Sequence, residues 1–304
     1  MDELLQKVGA DARVVEEIWK MEPRASSGSN PEEMATLARI AADRKQQDFR
    51  SALRETVLLL KTDSKNPGLY VLLGHMFDEQ EEWPGMAGAY SAAIHLDRDF
   101  AYSHGELSFA CYRMEDGCAK TEAEAMLALQ PRNAEGHKLL GLAYMMMRNA
   151  PSAMTECYKS LSLGPRAPDA VYYDIGLVKE MVHDMDGAIA AYRHAIQLNP
   201  ENWRALNALG SAYVEQGNID EGVLNLRKAK AAAPDRLEIR QNLGAAFCNS
   251  GRHADAIAEF EELLQLDPDW NMARRCLAKS LRALGRGDEA QIVLDEYNRR
   301  ETQQ

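Results

Sequence analysis

Between residues 206 and 234 the apolar positions follow a helical period, stop, and then resume. Leu206, Leu209 and Tyr213 share one face of a first helix, and Gly210 stands among them where a side chain would hold a neighbouring helix away. Gly217-Asn218 ends that helix, because glycine reaches the left-handed conformation at little steric cost. Val223, Leu226 and Ala229 then mark a second helix, which Pro234 closes, since proline cannot continue a helix interior. The pattern predicts a helical hairpin.

The hairpin recurs. Pro131, Pro165, Pro200, Pro234 and Pro268 fall at intervals of 34, 35, 34 and 34 residues, and Gly141, Gly176, Gly210 and Gly244 keep the same beat ahead of them. A fixed period in this range marks a solenoid, whose units bury their apolar faces against one another. Length alone suggests two domains, but stacked repeats share one continuous core, so residues 31–304 read as one elongated domain. Function is expected on a surface rather than in a pocket.

The residues of this unit resemble the tetratricopeptide repeat. Tyr70, Leu73, Gly74, Phe77, Tyr90 and Ala93 carry its pattern in one unit, and Leu243, Gly244, Phe247, Gly251, Ala256, Phe260 and Pro268 in another. Tyr172, Ile175, Gly176, Ala188, Tyr192, Ala195 and Pro200 carry it in a third, where Lys179 replaces the second aromatic. The unit over about residues 101–133 diverges, with Ser108 in the glycine place and a length one residue short. The last unit has Leu277, Ala278, Leu281, Gly285, Ala290 and Leu294, and the whole series amounts to about eight units. The resemblance implies an all-α fold, a right-handed α-solenoid superhelix.

Ahead of the array, residues 1–30 differ. Leu4, Leu5, Val8, Val14, Val15, Ile18 and Trp19 form an interrupted amphipathic pattern with Gly9 in its middle. The polar stretch from Arg24 to Asn30 reads as a tether, and Pro31-Glu32-Glu33 as a fresh helix start. The amphipathic segment is expected to cap the first repeat, or else to dock in a neighbouring copy and build a homo-oligomer.

Composition removes several classes. The chain is 46% hydrophobic and 27% charged, and no apolar run has the length that crosses a bilayer. Its start, Met1-Asp2-Glu3, shows no secretion signal, so a cytoplasmic location is expected, with a periplasmic or membrane-associated one if a signal or anchor precedes this stretch. A net charge of −12 repels phosphate backbones and disfavours nucleic acid. Cys111, Cys118, Cys157, Cys248 and Cys276 form no C-x-x-C pair and read as buried or idle thiols; no disulfide framework, metal site or cofactor is expected. The histidines read as solvated, with His183 and His253 in turns. No phosphate-binding glycine loop, nucleophile elbow or zinc-helix motif occurs, so no catalytic residue is assigned and the chain is expected not to be an enzyme.

In the family that the chain resembles, the first helix of each hairpin lines a concave groove that holds a peptide. That resemblance places Leu139, Leu142, Met145 and Met146 from one unit and Tyr173, Leu177 and Met181 from the next on an apolar groove floor suited to adaptable binding. Arg275, Lys279 and Arg282 share a face of the last unit's first helix, and Asp78 and Glu79 make the other end acidic. Neither a carboxylate clamp nor an asparagine ladder is expected, since the ladder places read Leu72, Glu106, Leu139, Asp174, Ala208, Asn242 and Cys276. The leading expectation is a non-catalytic adaptor or scaffold that holds a partner protein's amphipathic or apolar segment, such that Leu142→Glu abolishes binding and leaves the fold intact. Self-assembly through the N-terminal segment and a chaperone for an apolar secreted or membrane protein are the alternatives.

Overall fold

The structure, a computed structural model, describes residues 31–46 and 48–301. The amphipathic pattern before Asn30 lies outside the described residues. Sixteen helices and no strand occur among those described, and they pair into eight hairpins. Two compact units result, the first ending at Pro165 and the second beginning at Arg166, where the sequence suggests a single elongated domain. In the first unit the hairpins are α1 (Pro31–Lys45) with α2 (Phe49–Thr62), α3 (Pro67–Glu79) with α4 (Trp83–Leu96), α5 (Ala101–Arg113) with α6 (Cys118–Leu129), and α7 (Ala134–Met146) with α8 (Ala150–Ser162). In the second they are α9 (Pro168–Met181) with α10 (Met185–Leu198), α11 (Trp203–Glu215) with α12 (Ile219–Ala232), α13 (Leu237–Asn249) with α14 (His253–Leu266), and α15 (Asn271–Ala283) with α16 (Gly287–Glu301). The one 35-residue proline interval has a local cause. The interval contains α9, which has 14 residues where the first helices α7, α11, α13 and α15 have 13.

Each hairpin closes where its helices approach most nearly. A Cβ added to Gly74 would lie 2.6 Å from the Tyr90 ring, one on Gly176 2.2 Å from Tyr192, and one on Gly244 2.7 Å from Phe260. The glycine in the first helix therefore makes room for a ring from the second. Tyr90, Tyr192 and Phe260 are fully buried there.

A second device ties the entry of five of the first helices. Four residues before the small position, Tyr70 donates to the Ser64 carbonyl at 3.3 Å, and Arg240 donates to the Pro234 carbonyl at 3.3 Å. Arg274 does the same to Pro268, and both arginines also pair with a second-helix carboxylate, Arg240 with Glu262 at 2.7 Å and Arg274 with Glu296 at 3.4 Å. His104 and His137 occupy this place in their repeats. His104 lies 2.6 Å from Glu122 through Nδ1 and 3.1 Å from the Arg98 carbonyl through Nε2. His137 lies 2.6 Å from Glu156 and 3.2 Å from the Pro131 carbonyl. His104 is buried and His137 half-buried, so both are ties within the fold and not solvated side chains. Of the two histidines expected in turns, His183 is exposed in a left-handed turn, while His253 opens α14.

The turn between the two helices of a hairpin takes one left-handed residue. It is glycine at 217, 251 and 285, with φ of 83°, 74° and 77°, but Glu81, Glu115, Arg148 and His183 in the preceding hairpins, with φ of 53° to 61°. Lys179, the substitute for an aromatic, bonds Asp184 at 2.7 Å across such a turn, and Asp184 caps α10 through the Gly187 amide.

The third hairpin departs from this plan, as its divergent sequence suggests. Ser108 replaces the glycine and donates to the Ala119 carbonyl at 2.7 Å, within a fully buried contact. The shortfall follows Glu115: α6 has 12 residues where α4 has 14, and the turn before it spans 114–117, four residues where the second hairpin has three. Cys111 and Cys118 are joined there by a disulfide with Cα atoms 5.6 Å apart, which corrects the reading of both as thiols; Cys157, Cys248 and Cys276 are free. The sequence clue was the spacing of seven across a helical turn, which a search for C-x-x-C pairs passes over.

Two glycines separate packing from propensity. Gly176→Ala drives a methyl into Tyr192 and is expected to destabilise by about 1–3 kcal/mol. Gly88, exposed in α4 with nothing near its absent Cβ, is expected to gain up to about 1 kcal/mol as alanine. Urea unfolding of both variants checks the pair.

Candidate binding surface

The first helices of successive hairpins lie beside one another within each unit, as α5 and α7 do in the first and α11, α13 and α15 do in the second. Their shared face is the candidate surface. In the first unit it is largely closed by its own packing. Leu139 and Leu142, expected on an open apolar floor, are each only 5% exposed and belong to a core with Ala101, Ala123 and Met126. The correction follows from Gly105, which lets the Met126 sulfur come close to α5 beside Leu139. Leu142→Glu would therefore bury a charge and break the fold, so it is no test of binding. Met145 and Met146 are half-buried and pack at the edges of two core clusters. Tyr173, Leu177 and Met181 on α9 are likewise half-buried, the first two against the core of the second unit.

The acidic end is more structured than expected. Glu79 pairs with the buried Arg44 at 3.5 Å. Burial raises the Asp78 carboxyl above its usual range, with Arg113 opposing. On α5, burial pushes Glu106 up to about 7, helped by Asp78 and Glu135 and opposed by a Tyr102 hydrogen bond and Lys138. Tyr102 also lies 2.8 Å from His75 Nε2, and burial, reinforced by Arg44, lowers His75 to about 4. With Tyr102 donating to Glu106, the neutral His75 donates through Nε2. This chain of His75, Tyr102 and Glu106 links α3 to α5.

In the second unit the face is polar and open. Asn242 on α13 donates to Asn207 on α11 at 3.0 Å. Gln241 bonds Cys276 on α15, whose thiol is raised chiefly by burial. Beyond it, Arg275, Lys279 and Arg282 are all exposed on α15, and none has an ion-pair partner among the described residues. Met272, 57% exposed, stands three residues before Arg275 and so heads the same stripe. Sequence reasoning passed over it because a single methionine beside a charged run carries no pattern. No group of three or more metal-ligating side chains occurs among the described residues, and no described helix is long and apolar enough to cross a membrane.

The two titrating groups on α3 and α5 act on stability with opposite signs. Between about 4 and 6.5 the unfolded His75 takes a proton that the folded one refuses, so stability from this group falls as pH drops. Between the usual 4.5 and about 7, folded Glu106 keeps a proton that the unfolded chain has lost, so stability from this group falls as pH rises. Glu106→Gln removes the second effect. Relative to the parent chain, the variant is expected to gain about 1 kcal/mol or more in going from about pH 5 to about pH 8, read from urea unfolding at both.

Three family models match the chain: a TPR repeat over residues 184–217 and tetratricopeptide repeats over 204–236 and 221–294. Among curated relatives, the DnaJ homolog subfamily C member 7 homolog of Schizosaccharomyces pombe is 24% identical over 227 residues, covering 65% of this chain and 48% of the relative. The type IV pilus assembly protein PilF of Pseudomonas aeruginosa is 28% identical over 130 residues, covering 42% and 51%. The chain thus spans about half the length of these relatives, and 19% of the bbs-4 BBSome member of Caenorhabditis elegans. Among solved structures, yeast Tom70 superposes with a TM-score of 0.67 at 13% identity, over 95% of this chain and 65% of that one. The Cut9–Hcn1 structure gives 0.65 at 15%, over 89% and 52%, and both likenesses concern the fold alone. Proteins of this repeat generally mediate protein–protein interaction and are typically non-catalytic scaffolds. With its eight hairpins, its all-α solenoid fold and the matched repeats, the chain belongs to the tetratricopeptide-repeat proteins.

Proposed function

We propose that this protein is a non-catalytic adaptor that holds a segment of a partner protein on the first-helix face of its second unit. The observation that carries the reading is the α15 stripe of Arg275, Lys279 and Arg282, three exposed cations without ion-pair partners among the described residues, in a chain of net charge −12. Elsewhere in the protein cations are commonly spent on local pairs, as Lys230 is on Glu259 at 2.7 Å and Arg286 on Glu289 at 2.6 Å. A stripe left unpaired favours an acidic partner segment, and exposed Met272 adds an apolar contact to it. Asn207, Gln241 and Asn242 supply amide groups beside the stripe for the partner's backbone.

The apolar segment expected from sequence has weaker support, because Leu139 and Leu142 are committed to the core. Tyr173, Leu177 and Met181 in the second unit remain candidate anchors for apolar side chains of that partner, and Met145 and Met146 stay candidates on the first unit by itself. A chaperone role and a cytoplasmic location stay with the proposal as its broader setting.

Binding of a fluorescein-labelled peptide rich in Asp and Glu, with one central Leu, followed by anisotropy, tests the reading. The parent chain is expected to bind, with affinity falling as salt rises. Arg275→Glu/Lys279→Glu is expected to weaken binding tenfold or more, an estimate of about 1.4 kcal/mol. Its unfolding midpoint should hold within about 0.5 kcal/mol, because both sites are exposed. Equal binding by both proteins, or equal binding of a Lys-rich peptide, would remove the proposal.

A further inference from the structure

The third hairpin lacks the large side chains that hold the second. In the second hairpin the Phe77 ring crosses the turn onto Gly85, where an added Cβ would lie 2.4 Å from it, and Tyr90 packs on Gly74. The matching pairs in the third are Cys111 with Cys118, and Ser108 with Ala123. Both rings are gone. Met126 fills part of the space beside Gly105, and Ser108 contributes its bond to the Ala119 carbonyl. The disulfide thus stands where an aromatic ring and a glycine meet in the hairpin before it, and it bridges the last turn of α5 and the start of α6.

We propose that the Cys111–Cys118 bond is a redox-responsive clasp: a thiol reductant opens it and loosens α5 against α6, and a small-molecule disulfide closes it again. Cys111 is fully buried, whereas Cys118, the first residue of α6, is half-buried, so the reachable sulfur is that of Cys118. An external thiolate attacks Cys118 Sγ and forms a mixed disulfide, while Cys111 leaves as a thiolate and takes a proton. A second external thiol resolves the mixed disulfide. In sum one protein disulfide and two thiols give one protein dithiol and one external disulfide, with two electrons passing from the reductant to the protein.

The effect reaches the first-helix face. Arg113, two residues after Cys111, holds its guanidinium 4.0 Å from the centre of the Trp83 ring, and Trp83 packs edge-on against Phe109 at 5.9 Å. The end of α5 therefore joins the second hairpin to the third, and it is the part freed when the clasp opens. Asp116, in the same turn, accepts from the Cys118 amide at 2.9 Å and keeps the start of α6 in register with or without the bond.

The full chain is equilibrated first with glutathione disulfide and then with dithiothreitol. Thiols are counted in denaturant, and amide hydrogen exchange is followed in the native state. Three reactive thiols are expected in the first condition and five in the second. Exchange in α5 and α6 is expected to rise roughly tenfold or more on reduction, the order set by a disulfide closing a short loop. Exchange in α11 and α12, which carry no cysteine, should not change. Cys111→Ala/Cys118→Ala should show the fast rates in both conditions, and if that variant fails to fold, the parent chain's two states still decide. Five thiols after glutathione disulfide, or rates in α5 and α6 that agree within about twofold, would overturn the proposal.

Discussion

Five of the hairpins depend on one near-contact: a glycine in the first helix, at 74, 141, 176, 210 or 244, lets a side chain of the second come up against its backbone. Where a ring and a glycine meet, as Tyr192 and Gly176 do, a single methyl has no room. Helix propensity opposes glycine at such a place by about 1 kcal/mol, so its presence there shows that packing decides the fold. The buried rings join the apolar sides of neighbouring hairpins into the core of each unit. The first-helix face is what this packing leaves over, and its chemistry differs between units because different residues are used up.

That accounting explains what was legible in the sequence. The hairpins, their number and their turns were readable because helical period, proline and glycine recur on one beat. The divergent third repeat was readable too, from Ser108 and a missing residue, and the 35-residue interval reflects the extra residue of α9. The buried state of Leu139 and Leu142 was not readable. It depends on Met126 passing Gly105 within the third hairpin and on Leu139 of the fourth packing beside them, contacts that no period within one helix records. The left-handed turns at Glu81, Glu115, Arg148 and His183 were hidden for a related reason: neighbouring packing can impose a conformation that the residue itself disfavours.

The polar residues follow the same division. His104, His137, Arg240 and Arg274 read as ordinary charged or titrating side chains, yet all four sit four residues ahead of the small position and tie the chain before them. A search by place in the repeat, rather than by residue type, finds them at once. Arg275, Lys279 and Arg282 differ in that their places on the same kind of helix are exposed. Charge spent on folding and charge left for a partner are separated by register along one helix.

Those ties also bear on how the chain would come apart under tension. Each carbonyl that His104, His137, Arg240 or Arg274 grips belongs to the connector leading into its hairpin. A pull along the backbone would load these side-chain bonds before the helices themselves. Extension would then advance by release of one connector at a time, so the protein is built to yield in steps of a repeat rather than to stretch evenly.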